Sequence, residues 1–333
     1  MVRLESTSTH IIPCHRASDG CDVQKLAVDQ HVFPAPKSTQ QRLAFLWGHS
    51  NGFHKESLHP FMRRFLNHLR QQPQYDNTEL VFVTWDARHH GDSARLNEGT
   101  FFETCTWFDS ALDVLQVVEA LELKSDKYNA LIGVGHSFGG TCMLLCEFFY
   151  PKTFDGLTLI EPVMSSQFYD TELRLQIPVL SSRTRRDTWQ SREECLKSLT
   201  TRKFWKRFDP EVLENYVQYG LYDAPDGTVK LKCPREQEYH VFRHSHYPTR
   251  TAFNSLAILK VPVQFVYALG STFMPPEEAD MVPGQNRTMI RLDFVEGSHM
   301  VPNEKPDLIV PHIDNLLTRV LLNSKKDQRI AKL

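Results

Sequence analysis

The sequence predicts an α/β protein: a mostly parallel central sheet with helices on both faces and a helical cap inserted into it. Three observations predict this. Short apolar runs of strand length recur along the chain, and helical periodicities alternate with most of them. The alternation breaks once, in a polar stretch between about 164 and 254, and then resumes. Strands buried on both faces read as continuous apolar runs, which is the pattern of a covered parallel sheet.

Six runs fit such strands: 43–47 (LAFLW), 80–85 (LVFVTW), 130–134 (ALIGV), 157–160 (LTLI), 261–267 (VPVQFVY) and 289–295 (MIRLDFV). Between the second and third, Ala111, Val114, Leu115, Val118 and Leu121 make an amphipathic helical stripe. After the third, a helix is expected over 140–149, stopped by Pro151. In the polar stretch the period is helical, as from Pro210 to Tyr219, and no buried strand stands out. An excursion that leaves a sheet and returns is an insertion. Residues 1–163 and 255–333 are therefore expected to form one core, and 164–254 a helical lid.

Composition narrows the function. The 333 residues carry 38 Lys+Arg against 40 Asp+Glu, a net charge of −2, which argues against a generally basic nucleic-acid binder. No apolar run approaches the ~20 residues of a membrane span, and Met1-Val-Arg-Leu-Glu-Ser-Thr lacks the apolar core of a signal peptide. Seven cysteines, an odd number with no CxxC, read as reduced thiols inside a cell. Cys142 and Cys146, four apart, read as small buried apolar residues. The pairs His89-His90 and His244-Ser-His246 lack the partner spacing of zinc sites, so neither a metal nor a cofactor is expected.

The sharpest motif is Gly135-His136-Ser137-Phe138-Gly139-Gly140, between an expected strand and an expected helix. A GxSxG in that setting is a nucleophile elbow. The chain reverses tightly, glycines avoid collisions, the Ser137 hydroxyl stands clear at the sheet edge, and the helix N-terminus behind it favours negative charge. A dinucleotide loop would need its third glycine at 138, which is Phe.

Here the chain resembles the α/β-hydrolase superfamily over nearly its whole length. Gly48-His-Ser-Asn-Gly-Phe-His-Lys-Glu56 resembles the family's oxyanion loop; the resemblance implies that the Phe53 N–H joins that of Phe138 around a tetrahedral oxyanion. Asp86-Ala-Arg-His-His-Gly-Asp-Ser93 is similar to the family's D-x-R-x-x-G-x-S turn, and Asp86 and Arg88 are expected to pair and order the loops beneath the site. Phe294-Val-Glu-Gly-Ser-His299 resembles the histidine loop, implying His299 as the base for Ser137.

The acid departs from the commonest pattern. In the turn after the penultimate strand, where many members carry Asp, this chain has Ser271. The other known place is the end of the preceding strand, and there stands Glu161, between an all-apolar strand and Pro162. Glu161 is the expected acid, with Glu277, Glu278 and Asp280 in reserve.

Members of this fold that open epoxides or cleave haloalkanes use Asp at the elbow. Ser137 implies acyl transfer through an acyl-serine: a serine esterase or lipase acting on an apolar or lipid-like ester, or an acyl-CoA thioesterase. A binding protein with a broken triad is the competing class. In the lid, Phe168, Tyr169, Trp189, Phe204, Trp205, Phe208, Tyr216 and Tyr219 could line an acyl pocket or pack the lid's own core. Between Arg183 and Arg207, nine Lys/Arg face three Asp/Glu, which suits either an anionic substrate or a solvated face. The C-terminal Ala331-Lys332-Leu333 resembles the peroxisomal Ser-Lys-Leu signal, implying recognition by the peroxisomal import receptor and a place in the matrix. The elbow, the histidine loop and this tripeptide together are similar to the fungal peroxisomal hydrolases, a group that takes in a yeast peroxisomal lipase and mould toxin-biosynthesis hydrolases.

Overall fold

The computed structural model of the chain describes residues 4–166, 179–274 and 276–330. Eight strands form one sheet: β1 (Ser8–Pro13), β2 (Lys25–Phe33), β3 (Gln41–Gly48), β4 (Thr78–Trp85), β5 (Ala130–His136), β6 (Gly156–Ile160), β10 (Val263–Ala268) and β11 (Ile290–Val295). Their order is β1-β2-β4-β3-β5-β6-β10-β11. β2 pairs antiparallel with both β1 and β4; every pairing from β4 to β11 in that order is parallel. All six apolar runs are strands of this sheet. β1 and β2 are the two strands the apolar runs leave out. They sit toward an edge and mix polar residues among apolar ones (STHIIP, KLAVDQHVF), so no continuous run marks them.

The crossovers place helices on both faces. Alternate residues of β3 serve opposite layers, as the two-residue period of a strand requires. Leu43, Phe45 and Trp47 pack with Phe61, Met62 and Phe65 of α1 (His59–Arg70) and with Ile313, Leu316 and Leu317 of the C-terminal helix. Ala44 and Leu46 face the other layer, built from α3 (Trp107–Ala120) and α4 (Phe138–Phe149), where Cys142 and Cys146 are fully buried. The short α2 (Gly91–Leu96) precedes α3. Among the described residues no helix is long and apolar enough to cross a membrane.

Between β6 and β10 the chain adds no strand to this sheet among the described residues. It forms helices over Val179–Thr184, Arg192–Thr200, Pro210–Gly220, Arg235–Arg243 and His246–Ser255. The expectation of a mostly helical segment needs an addition: it also carries a small antiparallel sheet, ordered β7-β9-β8, of β7 (Thr188–Trp189), β8 (Leu221–Asp223) and β9 (Val229–Leu231). Two- and three-residue strands leave no legible run in a sequence. Trp189, Trp205, Phe208 and Tyr216 pack together, so these aromatics fill the segment's own core, seated on Phe53 and Met300. Phe204 is exposed, and Phe168 and Tyr169 lie outside the described residues.

Candidate active site

Because β4, β3, β5, β6, β10 and β11 are parallel, their C-terminal ends meet at one edge, and the motif residues follow those ends. Ser137 follows β5 with φ 52° and ψ −120°, a conformation that costs a non-glycine residue ~1–3 kcal/mol. Its N–H donates to Ile160 O on β6 (2.9 Å). The flanking glycines have a steric reason: a Cβ on Gly135 would stand 2.5 Å from Gly140 Cα, and one on Gly139 2.6 Å from the Gly48 carbonyl carbon.

Glu161 follows β6 and repeats the device. Its φ is 50°, and its N–H donates to Val266 O on β10 (2.9 Å). Its carboxylate is wholly buried and needs donors to offset the loss of water. Three converge: Ala268 N–H on Oε1 (2.6 Å), and Ser271 Oγ–H (2.5 Å) and His299 Nδ1–H (2.8 Å) on Oε2. With Nδ1–H given to a carboxylate, the neutral imidazole turns its Nε2 lone pair outward. That Nε2 lies 2.9 Å from Ser137 Oγ. The structure therefore brings Ser137, His299 and Glu161 into one hydrogen-bonded series. Asp280 is exposed, and His299 Nδ1 turns to Glu161 rather than to it or Glu278; the Glu277 side chain lies outside the described residues.

Two further residues hold the histidine. His136 Nε2–H donates to the His299 carbonyl (2.8 Å), and burial keeps the His136 imidazole neutral by pushing it down to about 3. Phe273 stacks on the His299 ring, centroids 4.0 Å apart and planes 19° from parallel. Neither is singled out by its own sequence: His136 occupies a free position of GxSxG, and Phe273 meets His299 only through the fold.

The expected oxyanion donors divide. The Phe138 N–H, at the first position of α4, is a donor that the helix's own bonds leave over. The Phe53 expectation is corrected. Gly52, at φ 79°, folds the loop so that the Phe53 N–H closes onto Ser50 O (3.2 Å), while its ring turns into the aromatic core. Gly52 N–H is also engaged, by His90 Nε2 (2.9 Å). Among the described residues the N–H groups of Ser50 and Asn51 find no acceptor, and they replace Phe53 as candidate second donors.

The expected Asp86–Arg88 pair is also corrected. Asp86 accepts the N–H groups of Lys55 and Asp92 (2.8 Å each), tying the loop after β3 to the turn after β4. The buried Lys55 ammonium lies among Asp86, Asp92, Asp29 and Glu56. Burial lowers the pKa of that ammonium, but the four carboxylates outweigh it and keep the group protonated. Burial pushes Asp86 up to about 6 against the pull of Lys55. Arg88 points away, to Asp113 (2.5 and 2.9 Å). Lys55, four residues beyond Asn51, supplies the nearer cation. Among the described residues no group of three or more His, Cys, Asp or Glu is arranged to hold a metal ion.

A model described as the alpha/beta hydrolase family matches residues 45–312. The peroxisomal membrane protein Lpx1 of Saccharomyces cerevisiae is 24% identical over 91% of this chain and 84% of its own length. The solved structure of that yeast protein, described as a peroxisomal alpha-beta-hydrolase, superimposes with a TM-score of 0.80 at 22% identity, covering 97% of this chain and 91% of the other. A type I acyl-CoA thioesterase of Penicillium brevicompactum is 25% identical over 55% of this chain, which spans only 41% of the thioesterase. A thioesterase domain from the curacin biosynthetic pathway superimposes with a TM-score of 0.62 at 15% identity, over 91% of this chain and 98% of that domain.

Proposed function

The chain belongs to the alpha/beta hydrolase family, and from that premise we propose that it is a serine hydrolase cleaving carboxylic esters of an apolar substrate through an acyl-serine. The observation that carries the proposal is the unbroken series Ser137 Oγ, His299 Nε2, His299 Nδ1, Glu161 Oε2. His299 takes the Ser137 proton as Oγ attacks the carbonyl carbon. The oxyanion forms against Phe138 N–H and a second amide from Ser50 or Asn51, each such donor contributing ~3 kcal/mol to the transition state. The proton then passes to the leaving alkoxide, water enters by the same route, and the acid is released with Ser137 restored. Glu161 stays ionised throughout, holding the tautomer and steadying the imidazolium. The completeness of this series also supports an enzyme over a binding protein with a broken triad.

Residues 164–254 serve in this reading as the lid over the strand ends. An acyl-CoA thioesterase with the same three residues is the second reading, favoured by the activity in the Penicillium relative's name. The basic stretch gives it little weight. Arg185, Arg186, Arg192 and Arg207 each pair with an acid, which suits a structural or solvated face. The peroxisomal relative supports a peroxisomal location; Ala331-Lys332-Leu333, the proposed receptor signal, lies outside the described residues.

A fluorophosphonate should label the protein at Ser137, and Ser137→Ala should abolish both labelling and turnover; no labelling of the folded protein would overturn the proposal. Rates on matched p-nitrophenyl esters and acyl-CoAs separate esterase from thioesterase. Removing Leu333 should leave the protein outside peroxisomes.

A further inference from the structure

We propose that Ser271 is a positioning residue for the acid. The proposal rests on the serine-hydrolase reading and goes beyond it in explaining why a serine stands in the turn after β10.

The need for such a residue follows from topology. Glu161 leaves β6 and His299 arrives from β11, with β10 between them. The acid must therefore reach past the end of the intervening strand. The last torsion of a glutamate is broad, so its carboxylate plane is not fixed by rotamer preference. Two fixed donors on different oxygens fix it: the Ala268 backbone N–H on Oε1 and the Ser271 hydroxyl on Oε2. Both come from the end of β10 and the turn after it. The oxygen that Ser271 holds is the one that accepts His299 Nδ1–H.

Ser271 is itself anchored. Its N–H donates to Ala268 O (2.9 Å), and its Oγ accepts the Phe273 N–H (3.3 Å). A carboxylate only accepts, so the hydroxyl proton is committed to Glu161. Phe273 in turn stacks on His299. One hydroxyl thus fixes the carboxylate on one side of the imidazole bond and the ring wall on the other.

The experiment uses the full chain, a p-nitrophenyl ester, and thermal midpoints to confirm folding. S271A should lower kcat at least tenfold with KM within twofold of wild type, and S271T, which keeps the hydroxyl, should stay within threefold in kcat. E161Q should be nearly inactive. A folded S271A with wild-type kcat would overturn the proposal. If the wild-type protein is not labelled by fluorophosphonate at Ser137, the serine-hydrolase reading fails instead.

Discussion

The ends of β5 and β6 solve the same problem by different means. Each strand stops at a residue with φ near 50°, Ser137 or Glu161, whose N–H is caught by the neighbouring strand's carbonyl. Both devices aim a side chain off the sheet edge. At β5 the strained residue lies between glycines, because α4 turns back so closely that Gly135 and Gly140 touch. At β6 the chain runs on into Pro162 instead of folding back on itself. No glycine is needed there, and the strained conformation is held by hydrogen bonds from β10 and its turn. Crowding of backbone on backbone writes itself into a sequence, whereas support from a distant strand does not.

The contrast can be broken at several points. Gly135→Ala should have the largest effect: a methyl 2.5 Å from Gly140 Cα cannot be absorbed by rotating a side chain, and little soluble folded protein should be recovered on expression. Glu161→Gln should fold with a nearly unchanged thermal midpoint yet lose turnover on the order of a thousand- to ten-thousand-fold in steady-state assays, since the amide cannot hold the tautomer or the charge. Near-normal turnover would remove Glu161 from the site. His136→Phe removes the donor to the His299 carbonyl, and an unmet buried acceptor costs ~1–3 kcal/mol. Read out in kcat, that is a loss of about ten- to a hundredfold if the cost falls on the histidine loop.

The smallest expected effect lies away from both strand ends. Burial, and then the neighbouring His31, pushes His59 down to about 3. The unfolded chain binds a proton near pH 6.5 that the folded one refuses. Stability from this group is therefore complete above pH 6.5 and is lost as pH falls toward 3. His59→Phe should flatten the pH dependence of unfolding free energy between pH 6 and 4 by about one proton, ~1.4 kcal/mol per pH unit, without changing turnover. Denaturant titrations at the two pH values measure it.

What was legible followed the same division. The six apolar strands, the α3 stripe and the elbow are local patterns, and each is where the pattern puts it. The place of Glu161 beside His299 was legible by order and by the absence of an acid at 271. The Asp86–Arg88 pair and the Phe53 amide were misread because both depend on where a loop folds back. Lys55 reaches Asp86 first, and the Gly52 turn consumes the Phe53 N–H. β1, β2 and the small sheet β7-β9-β8 escaped because their strands are too polar or too short to leave a run.

By itself the sequence determined the family, the succession of the six apolar strands and the elbow serine, because hydrophobic burial and backbone crowding act on neighbouring residues and select residue types directly. Only the tertiary structure decided which donors fix Glu161, which amides remain for an oxyanion, and what holds His299. The contacts that fix Glu161 join residues more than a hundred positions apart, as from Glu161 to Ser271 and His299, and each end of such a contact is chemically ordinary until the fold brings the other to it.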